Sequence, residues 1–460
     1  MMATTWRRWL VVVPVVALAG CAGVGGNRGR DEVVSSKDDA QSSWAGRATG
    51  SMTTMGFGGE DEVGQSRVQA FKTANPDVDV TVNPGGFDAQ QFLTALASGN
   101  PPDVVSMDRT LIGSYAAKGA IQPLDDCIAG QGIDASQYRP AAMRSVTYDG
   151  HPYGIPEFSI VQTDLVDAKT LEAEGVDPSQ IQTRDWDALA ATATKLYRAD
   201  GSNIQRIGFD PKLPDSFPLW AKINGVDIVG EDGAPHLDDP KAVEALEYTV
   251  GLVEAQGGWT KFKSFRDSFD IFGADNPLTL GTITAFPMEN WYVNVLRDSI
   301  PRGLELESEI ITDRQGQPVS MLGGSAWVIP KGAKNPVAAC QWAKTMTSTD
   351  TWMKAAEARM QTVEKDKSFF TGLFTANTEA DEQIREQYLT QAPDPGFAHA
   401  IDNYYSVLDK ATAVNPSPAG AEIDAAWQSA VSRALEGIPA AQALQQAQGE
   451  AESAYEKAAR

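Results

Sequence analysis

The chain has 460 residues, a formal net charge of −23 and a hydrophobic content of 42%. The acidic balance argues against nucleic acid and anionic membrane surfaces as partners, and the length exceeds what one hydrophobic core accommodates, which predicts two lobes. The three histidines, His151, His236 and His399, lie far apart, and the sequence contains no Cys/His cluster, metalloprotease motif, nucleophile elbow or Walker loop. We therefore expect no metal, no cofactor and no catalytic residue.

The N-terminus has the organisation of a secretory signal peptide over residues 1–20. A pair of arginines precedes an apolar run at 10–19, which is too short to span a bilayer, a task that takes about 20 residues. The run ends in the letters LAGC, which resemble a bacterial lipobox, where the peptide is cut before the cysteine and the thiol is lipidated. The resemblance implies a lipid anchor on Cys21 at the outer face of the cell membrane. An ordinary cleavable signal peptide and twin-arginine export remain as alternatives.

Residues 21–50 are rich in glycine, serine and charge and show no apolar periodicity, which predicts a flexible tether. Strands and helices then alternate, with short turns between them. The predicted strands are 52–57, 78–83 and 103–107, and the predicted helices are 60–74, a helix to Ala97 capped by Asp88, and a helix capped by Asp108. This alternation predicts an α/β fold with a parallel sheet.

In a parallel sheet, ligands bind beyond the carboxyl ends of the strands. Candidate ligand contacts at these ends are Phe57, Glu60, Asp61, Asp88, Asp108 and Arg109. The acidic residues have an alternative role as helix caps, because Asp is a preferred N-cap and acids suit the first turn of a helix. Carboxylates in this position would repel anions and favour a ligand rich in hydroxyl groups or one that carries an amine, although Arg109 weakens that argument.

Eight further patterns resemble the extracellular solute-binding proteins of bacterial ABC importers, of the maltose-binding, sugar-type class. They include RVQAFKTANPDVDVTV, FLTALASGNPPDVVSMD, AAKGAIQPLDD, YDGHPYGIPEF, DWDALAATATKL, GAPHLDDPKAVEALEYTVGLV, GTITAFPMENWYVNVL and GGSAWVIPKGAKNPVAACQWAKTMTS. They occur in the family's order and cover most of the mature chain. One departure is IVQTDLVDAK, which stands where the family often has Tyr-Asn, so that local set of contacts is not carried over.

The resemblance implies a two-lobed periplasmic-binding-protein fold with a ligand cleft between the lobes. It implies an N-lobe from 51–155 and 326–360 and a C-lobe from 156–325 and 361–460. The protein would then be a monomer that captures a small polar ligand, most simply a carbohydrate, and delivers it to the permease subunits of an ABC importer. An exported lipoprotein enzyme such as a glycoside hydrolase, and the same fold with a non-sugar ligand, are the alternatives.

Further candidate ligand contacts follow from aromatic residues at loops and from the crossovers that the resemblance implies. Aromatic faces suit the apolar C–H faces of sugar rings. The candidates are Trp220, Trp291, Tyr292, Trp327, Glu157, Phe158 and Arg359. Trp327 could equally belong to the core between the lobes, and Trp220 could be either a contact or core.

Cys127 and Cys340 both fall in the N-lobe of the resembling fold, and an exported chain meets an oxidising environment. A disulfide between them and two separate thiols are both open at this stage.

Overall fold

The computed structural model describes residues 44–389 and 394–459. The predicted signal peptide, Cys21 and residues 22–43 of the predicted tether lie outside the described residues. The end of the tether differs from expectation, because residues 44–50 contact the folded chain. Trp44 packs against the hydrophobic core, its carbonyl accepts a hydrogen bond from the Gln131 side chain, and Gly50 already begins the first strand.

The first of two five-stranded sheets is mostly formed by the first part of the chain, and we call the lobe around it the N-lobe. Its strands, in sheet order, are β2 (Val78–Thr81), β1 (Gly50–Met55), β3 (Val104–Asp108), β12 (Ser325–Val328) and β6 (Ile155–Pro156). As predicted, β1 is parallel to β2 and β3, whereas β12 returns from the other lobe and pairs antiparallel with β3 and β6.

The second sheet forms the centre of the C-lobe. Its strands, in sheet order, are β11 (Leu306–Glu309), β7 (Gln162–Asp167), β10 (Ile283–Glu289), β9 (Asn203–Phe209) and β8 (Arg198–Asp200). Strand β10 is buried from Ile283 to Met288, as expected for a central strand of this sheet. A small antiparallel pair, β4 (Thr147–Tyr148) and β5 (His151–Pro152), lies outside both sheets.

Helices pack against both sheets. They are α1 (Glu62–Ala74), α2 (Ala89–Ala97), α3 (Ile112–Ala117), α4 (Asp125–Gln131), α5 (Pro140–Ser145), α6 (Ala168–Glu174), α7 (Trp186–Leu196), α8 (Phe217–Ile223), α9 (Pro240–Ala255), α10 (Trp259–Arg266), α11 (Tyr292–Leu296), α12 (Pro336–Thr347), α13 (Thr349–Asp366), α14 (Thr378–Tyr388), α15 (Pro395–Leu408), α16 (Gly420–Leu435) and α17 (Ala440–Ala458). Short 3-10 turns lie at Arg109–Leu111, Ala135–Gln137, Pro178–Gln180 and Arg297–Arg302. None of the helices within the described ranges combines the length and apolarity needed to cross a membrane.

The chain passes between the lobes more than once. It leaves the N-lobe sheet after β6 and returns to it as β12, and α13 then packs along α1. The expected lobe boundary at residue 360 lies inside α13, and the exact lobe boundaries remain a prediction. The start of α16 also touches the N-lobe, where Glu422 pairs with Lys118 at 2.9 Å.

A disulfide joins Cys127 in α4 to Cys340 in α12, with a Cα–Cα distance of 5.8 Å. Both residues are fully buried in the N-lobe, and of the two alternatives that the sequence left open the structure contains the bridge. It connects two helices between which the chain forms all five strands of the C-lobe sheet.

Candidate functional site

A cleft between the lobes contains two adjoining cavities of about 470 and about 230 Å³. Asp108, Ile160 and Gly324 line both cavities, so the two form one continuous site. The position agrees with the expectation that ligand binds beyond the carboxyl ends of the strands, because Asp108 ends β3 and Asn290 directly follows β10.

The larger cavity has an apolar wall interrupted by a few polar groups. The wall is formed by Phe158, Ile160, Trp291, Leu373 and Phe374, and the polar side chains are Asp108, Ser159, Asn290, Asn294, Ser325, Arg359 and Thr371. Such a combination is typical of pockets for small ligands, in which apolar surface supplies affinity and a few polar groups fix orientation.

Several polar groups of the larger cavity are held in place by the surrounding chain. The Asn290 carboxamide accepts a hydrogen bond from the Val161 amide at 3.1 Å and donates to the Ser159 carbonyl at 3.3 Å. Thr371 donates to the Asn294 side-chain oxygen at 3.2 Å, which leaves the Asn294 amide nitrogen available as a donor. The buried Ser159 hydroxyl has no hydrogen-bond partner among the described residues. The cavity therefore offers oriented amide and hydroxyl groups to a polar ligand.

The smaller cavity is distinguished by carboxylates. Asp108, Asp215 and Glu289 line it, together with Gln162 and Ser145. Within the described residues, Asp215 and Glu289 make no side-chain hydrogen bond or ion pair, whereas Asp108 accepts from the Thr110 amide and hydroxyl, both at 2.8 Å. Free carboxylate oxygens accept hydrogen bonds from hydroxyl groups and repel anions.

Arg109 is the basic residue of the smaller cavity. Its side chain is buried and donates to the Gly323 carbonyl, and two of its nitrogens, Nε and Nη1, have no partner among the described residues. Burial lowers the pKa of Arg109 to about 10, against the opposing effect of Asp108. The guanidinium remains charged at neutral pH and places a positive charge at the base of the cleft.

The cleft thus contains five residues that the sequence analysis selected: Asp108, Arg109, Phe158, Trp291 and Arg359. Trp291 is half-buried and lies two residues after the end of β10, at the point where the chain emerges from the sheet. Arg359 in α13 also forms ion pairs, with Asp61 at 3.0 Å and with Glu62.

Four selected aromatic residues lie in the core and not on the cleft wall. Phe57 and Trp327 pack edge-to-face with each other at 5.3 Å, and Trp342 packs on both. Trp220 is fully buried in the C-lobe, and its indole nitrogen donates to the Pro211 carbonyl at 2.9 Å. Tyr292 is also fully buried, and burial raises the pKa of its hydroxyl.

Three selected acids at strand ends do not line the cavities either. Asp61 caps α1 by accepting from the Gly64 amide at 2.7 Å, and Asp88 caps α2 by accepting from the Gln91 amide at 2.8 Å. Glu60 is exposed to solvent just before α1. The capping role that the sequence left as an alternative therefore describes Asp61 and Asp88.

Glu157 lies one residue before the cavity wall but points into the protein. It forms an ion pair with Arg67 at 2.6 Å, and both side chains are only 1% exposed. It also accepts hydrogen bonds from Ser106 at 3.2 Å and from Ser325 at 3.0 Å. Glu157 therefore ties the first crossover to α1, β3 and β12, and it supports the cleft from behind.

The sequence analysis did not select several polar residues that line the cleft, namely Ser159, Gln162, Asp215, Glu289, Asn290, Asn294 and Thr371. Glu289 is the last residue of β10 and Asn290 directly follows it, so the strand-end argument applied to the C-lobe would have found them. Thr371 lies in an irregular segment, and no local pattern marks it.

A half-buried carboxyl group near Asp108 makes stability depend on pH. Asp424 in α16 accepts a hydrogen bond from the Trp427 indole at 3.0 Å, and burial, followed by the charge of Asp108, raises its pKa from 3.8 to about 6. The folded state holds the proton of Asp424 more tightly than the unfolded chain does. The stabilisation that this proton gives the folded state is therefore complete below about pH 4 and is lost as pH rises through about 6.

We expect Asp424→Asn to raise the free energy of unfolding by about 1–3 kcal/mol near pH 7.5 and to change it little near pH 4, because the amide is neutral throughout. Denaturant titrations at the two pH values measure this difference. Asp402→Asn, a change at an exposed side chain, serves as the control. An equal effect of Asp424→Asn at both pH values would contradict the assignment.

Comparison with known proteins adds to this geometry. Residues 66–362, which are 297 of the 460 residues, match the family model described as bacterial extracellular solute-binding protein. A maltotriose-binding protein from Pyrococcus abyssi is 26% identical over 191 residues, which are 41% of this chain. The match spans only 39% of that relative's own length.

Solved structures share the fold. The structure of CpMnBP1 with mannotriose bound has a TM-score of 0.71 at 23% identity, and the match covers 87% of this chain and 100% of that one. An ABC substrate-binding protein from Listeria monocytogenes in complex with cycloalternan has a TM-score of 0.70 at 18% identity, with 88% and 98% covered. The expected two-lobed α/β fold is confirmed, and the chain belongs to the family of bacterial extracellular solute-binding proteins.

Proposed function

We propose that the protein captures a neutral saccharide between its two lobes and delivers it to an ABC importer. The observation that carries the proposal is the pairing, in one cleft, of an apolar wall containing Trp291 and Phe158 with oriented amides and free carboxylates. Aromatic faces suit the C–H faces of sugar rings, and the polar groups suit hydroxyls. The saccharides named for the related protein and for the two related structures support the same class of ligand.

The charges of the cleft favour a neutral ligand over an anionic one. Asp215 and Glu289 have no counter-ion within residues 44–389 and 394–459, and Asp108 adds a third carboxylate. The charge of Arg359 is offset by ion pairs with Asp61, which caps α1, and with Glu62, which begins α1. Arg109 is the remaining basic side chain that lines the two cavities. A sugar phosphate or an organic acid would meet net repulsion here.

Closure of the lobes is the mechanism that this geometry supports. The N-lobe supplies Asp108 and Ser325, and the C-lobe supplies Asn290 and Trp291. A ligand drives closure only when it binds the closed form better than the open form, so contacts from both lobes are required. Small-angle scattering should show a smaller radius of gyration when maltotriose or mannotriose saturates the protein, with the sugar recovered unchanged. Hydrolysis of the sugar would favour the alternative of an exported glycoside hydrolase.

We expect Trp291→Ala to weaken saccharide binding by more than about 1 kcal/mol, which is at least about fivefold, because the indole forms part of the apolar wall. Isothermal titration calorimetry with maltotriose and mannotriose measures the change. Trp259→Ala is the matched control, since this half-buried tryptophan lies in α10 outside both cleft cavities. Equal affinities of wild type and Trp291→Ala would remove Trp291 from the site.

We propose that the mature chain is a monomer anchored through lipid on Cys21, which places the cleft outside the cytoplasm near the permease. The support is the lipobox-like end of the apolar run and the extracellular character of the family. Metabolic labelling with a fatty acid should label the wild type and fail to label Cys21→Ser. Equal labelling of the two proteins would disprove the anchor.

A further inference from the structure

Phe272 is an aromatic residue whose exposure the fold does not explain. It is 67% exposed, which is more than the other large apolar side chains singled out as exposed in the described chain: Leu93, Leu280 and Ile438. Its ring lies nearly parallel to the Trp291 indole, with the ring centroids 5.5 Å apart and an angle of 19° between the planes. Trp291 lines the larger cavity and Phe272 does not, so the stack extends the aromatic wall from the cavity to its rim.

The loop that carries Phe272 is held by polar contacts and not by burial of the phenyl ring. Fully buried Asn276 donates to the Gly273 carbonyl at 3.2 Å and to the Ser299 hydroxyl at 3.1 Å. Arg302 donates to the Ala274 carbonyl at 2.7 Å. These contacts place Phe272 at the rim even though an exposed phenyl ring loses the stabilisation that burial would provide.

A single exposed apolar side chain is common on protein surfaces and needs no function. Leu280, at the end of the same loop, is 47% exposed and is an example. Phe272 differs because its ring is ordered against a residue of the ligand cavity and still presents most of its surface to solvent.

We infer that Phe272 is a further ligand-binding residue, which receives one sugar ring of an oligosaccharide that extends beyond the cavity. The inference rests on the proposed function, since it requires a saccharide in the cleft beside Trp291. A sugar ring on the outer face of Phe272 would continue the apolar surface that Trp291 begins. The protein would then select longer saccharides over shorter ones that bind in the cavity alone.

Isothermal titration calorimetry of the full chain with two series, glucose to maltopentaose and mannose to mannopentaose, tests this inference. We expect the wild-type affinity to rise at the length that reaches Phe272. In Phe272→Ala the affinity for saccharides of that length should fall by about 3- to 10-fold, which is the effect expected from the loss of one aromatic contact. Shorter sugars of the same series should bind to Phe272→Ala as they bind to the wild type. Phe272→Trp should retain the increment, and Leu280→Ala should behave as wild type.

Two results would overturn the inference and leave the proposed function intact. One is an unchanged affinity of Phe272→Ala at every length. The other is an equal loss at every length, which would show that Phe272 only orients Trp291. Absence of binding by every member of both series would instead overturn the proposed function for these sugars, and the inference with it.

Discussion

Replacement of Arg67 by alanine is expected to lower the free energy of unfolding by about 3–5 kcal/mol, which is the usual cost of leaving one member of a buried ion pair without its partner. Arg67 and Glu157 are each only 1% exposed and are joined at 2.6 Å. The guanidinium also lies 4.3 Å from the centre of the Trp352 ring and 5.1 Å from that of Phe158. The substitution removes the charge partner and these ring contacts together.

Denaturant titration of Arg67→Ala measures the loss. The double variant Arg67→Met/Glu157→Gln is the informative control, because it removes both charges and keeps most of the volume. We expect it to be more stable than Arg67→Ala, since no unpaired charge is then buried. If Arg67→Ala lowers the free energy of unfolding by less than about 1 kcal/mol, the ion pair is no stronger than an exposed one. That result would contradict the buried position of the pair.

The same substitution should also affect the cleft. Glu157 precedes Phe158 of the cavity wall and accepts a hydrogen bond from Ser325, which lines the cavity on the N-lobe side. Loss of Arg67 therefore loosens both crossovers where they border the ligand. We expect weaker saccharide binding in Arg67→Ala, measured by calorimetry below the temperature at which the variant begins to unfold.

Removal of the disulfide in Cys127→Ala/Cys340→Ala is expected to cost about 3–5 kcal/mol. The bridge closes a loop with a sequence separation of 213 residues, so it strongly restricts the unfolded chain in the chain-entropy account. The two alanines also leave the space of two buried sulfur atoms unfilled. Equilibrium unfolding of the double variant and of the oxidised wild type measures the difference.

Reduction provides an independent check on the disulfide. Because both cysteines are fully buried, a reductant should act mainly when the chain unfolds. Wild type titrated in denaturant with reductant should therefore unfold near the midpoint of the double variant, and wild type without reductant should unfold at a higher concentration. Two free thiols in the denatured, unreduced chain lacking Cys21 would show that the bridge does not form.

Local patterns predicted the elements that surround the site. The caps at Asp88 and Asp108 and the alternation in β2 depend on residues a few positions apart, and the structure contains all of them. The parallel arrangement of β1 with β2 and β3 follows from short crossover connections and was predicted for the same reason. The predicted cleft position at the strand ends also agrees with the structure.

The role of individual aromatic residues was not predictable from local patterns. The sequence placed Trp220 and Trp291 at loops or crossovers, yet Trp220 lies inside α8 and is fully buried, whereas Trp291 borders the cavity. Trp327 lies at a crossover, as expected, but its side chain points into the N-lobe core. The direction of each side chain depends on which face of its strand or helix meets another element, and that contact involves distant parts of the chain.

The sequence by itself determined the alternation of strands and helices, the need for two lobes and the acidic character of the strand ends, because these depend on spacing, length and charge. The tertiary structure decided which residues meet. It joined Arg67 to Glu157, 90 positions apart, and Cys127 to Cys340, and it placed Phe272 against Trp291. Such contacts depend on how the two sheets and their helices pack in three dimensions, and spacing within a single element carries no information about that packing.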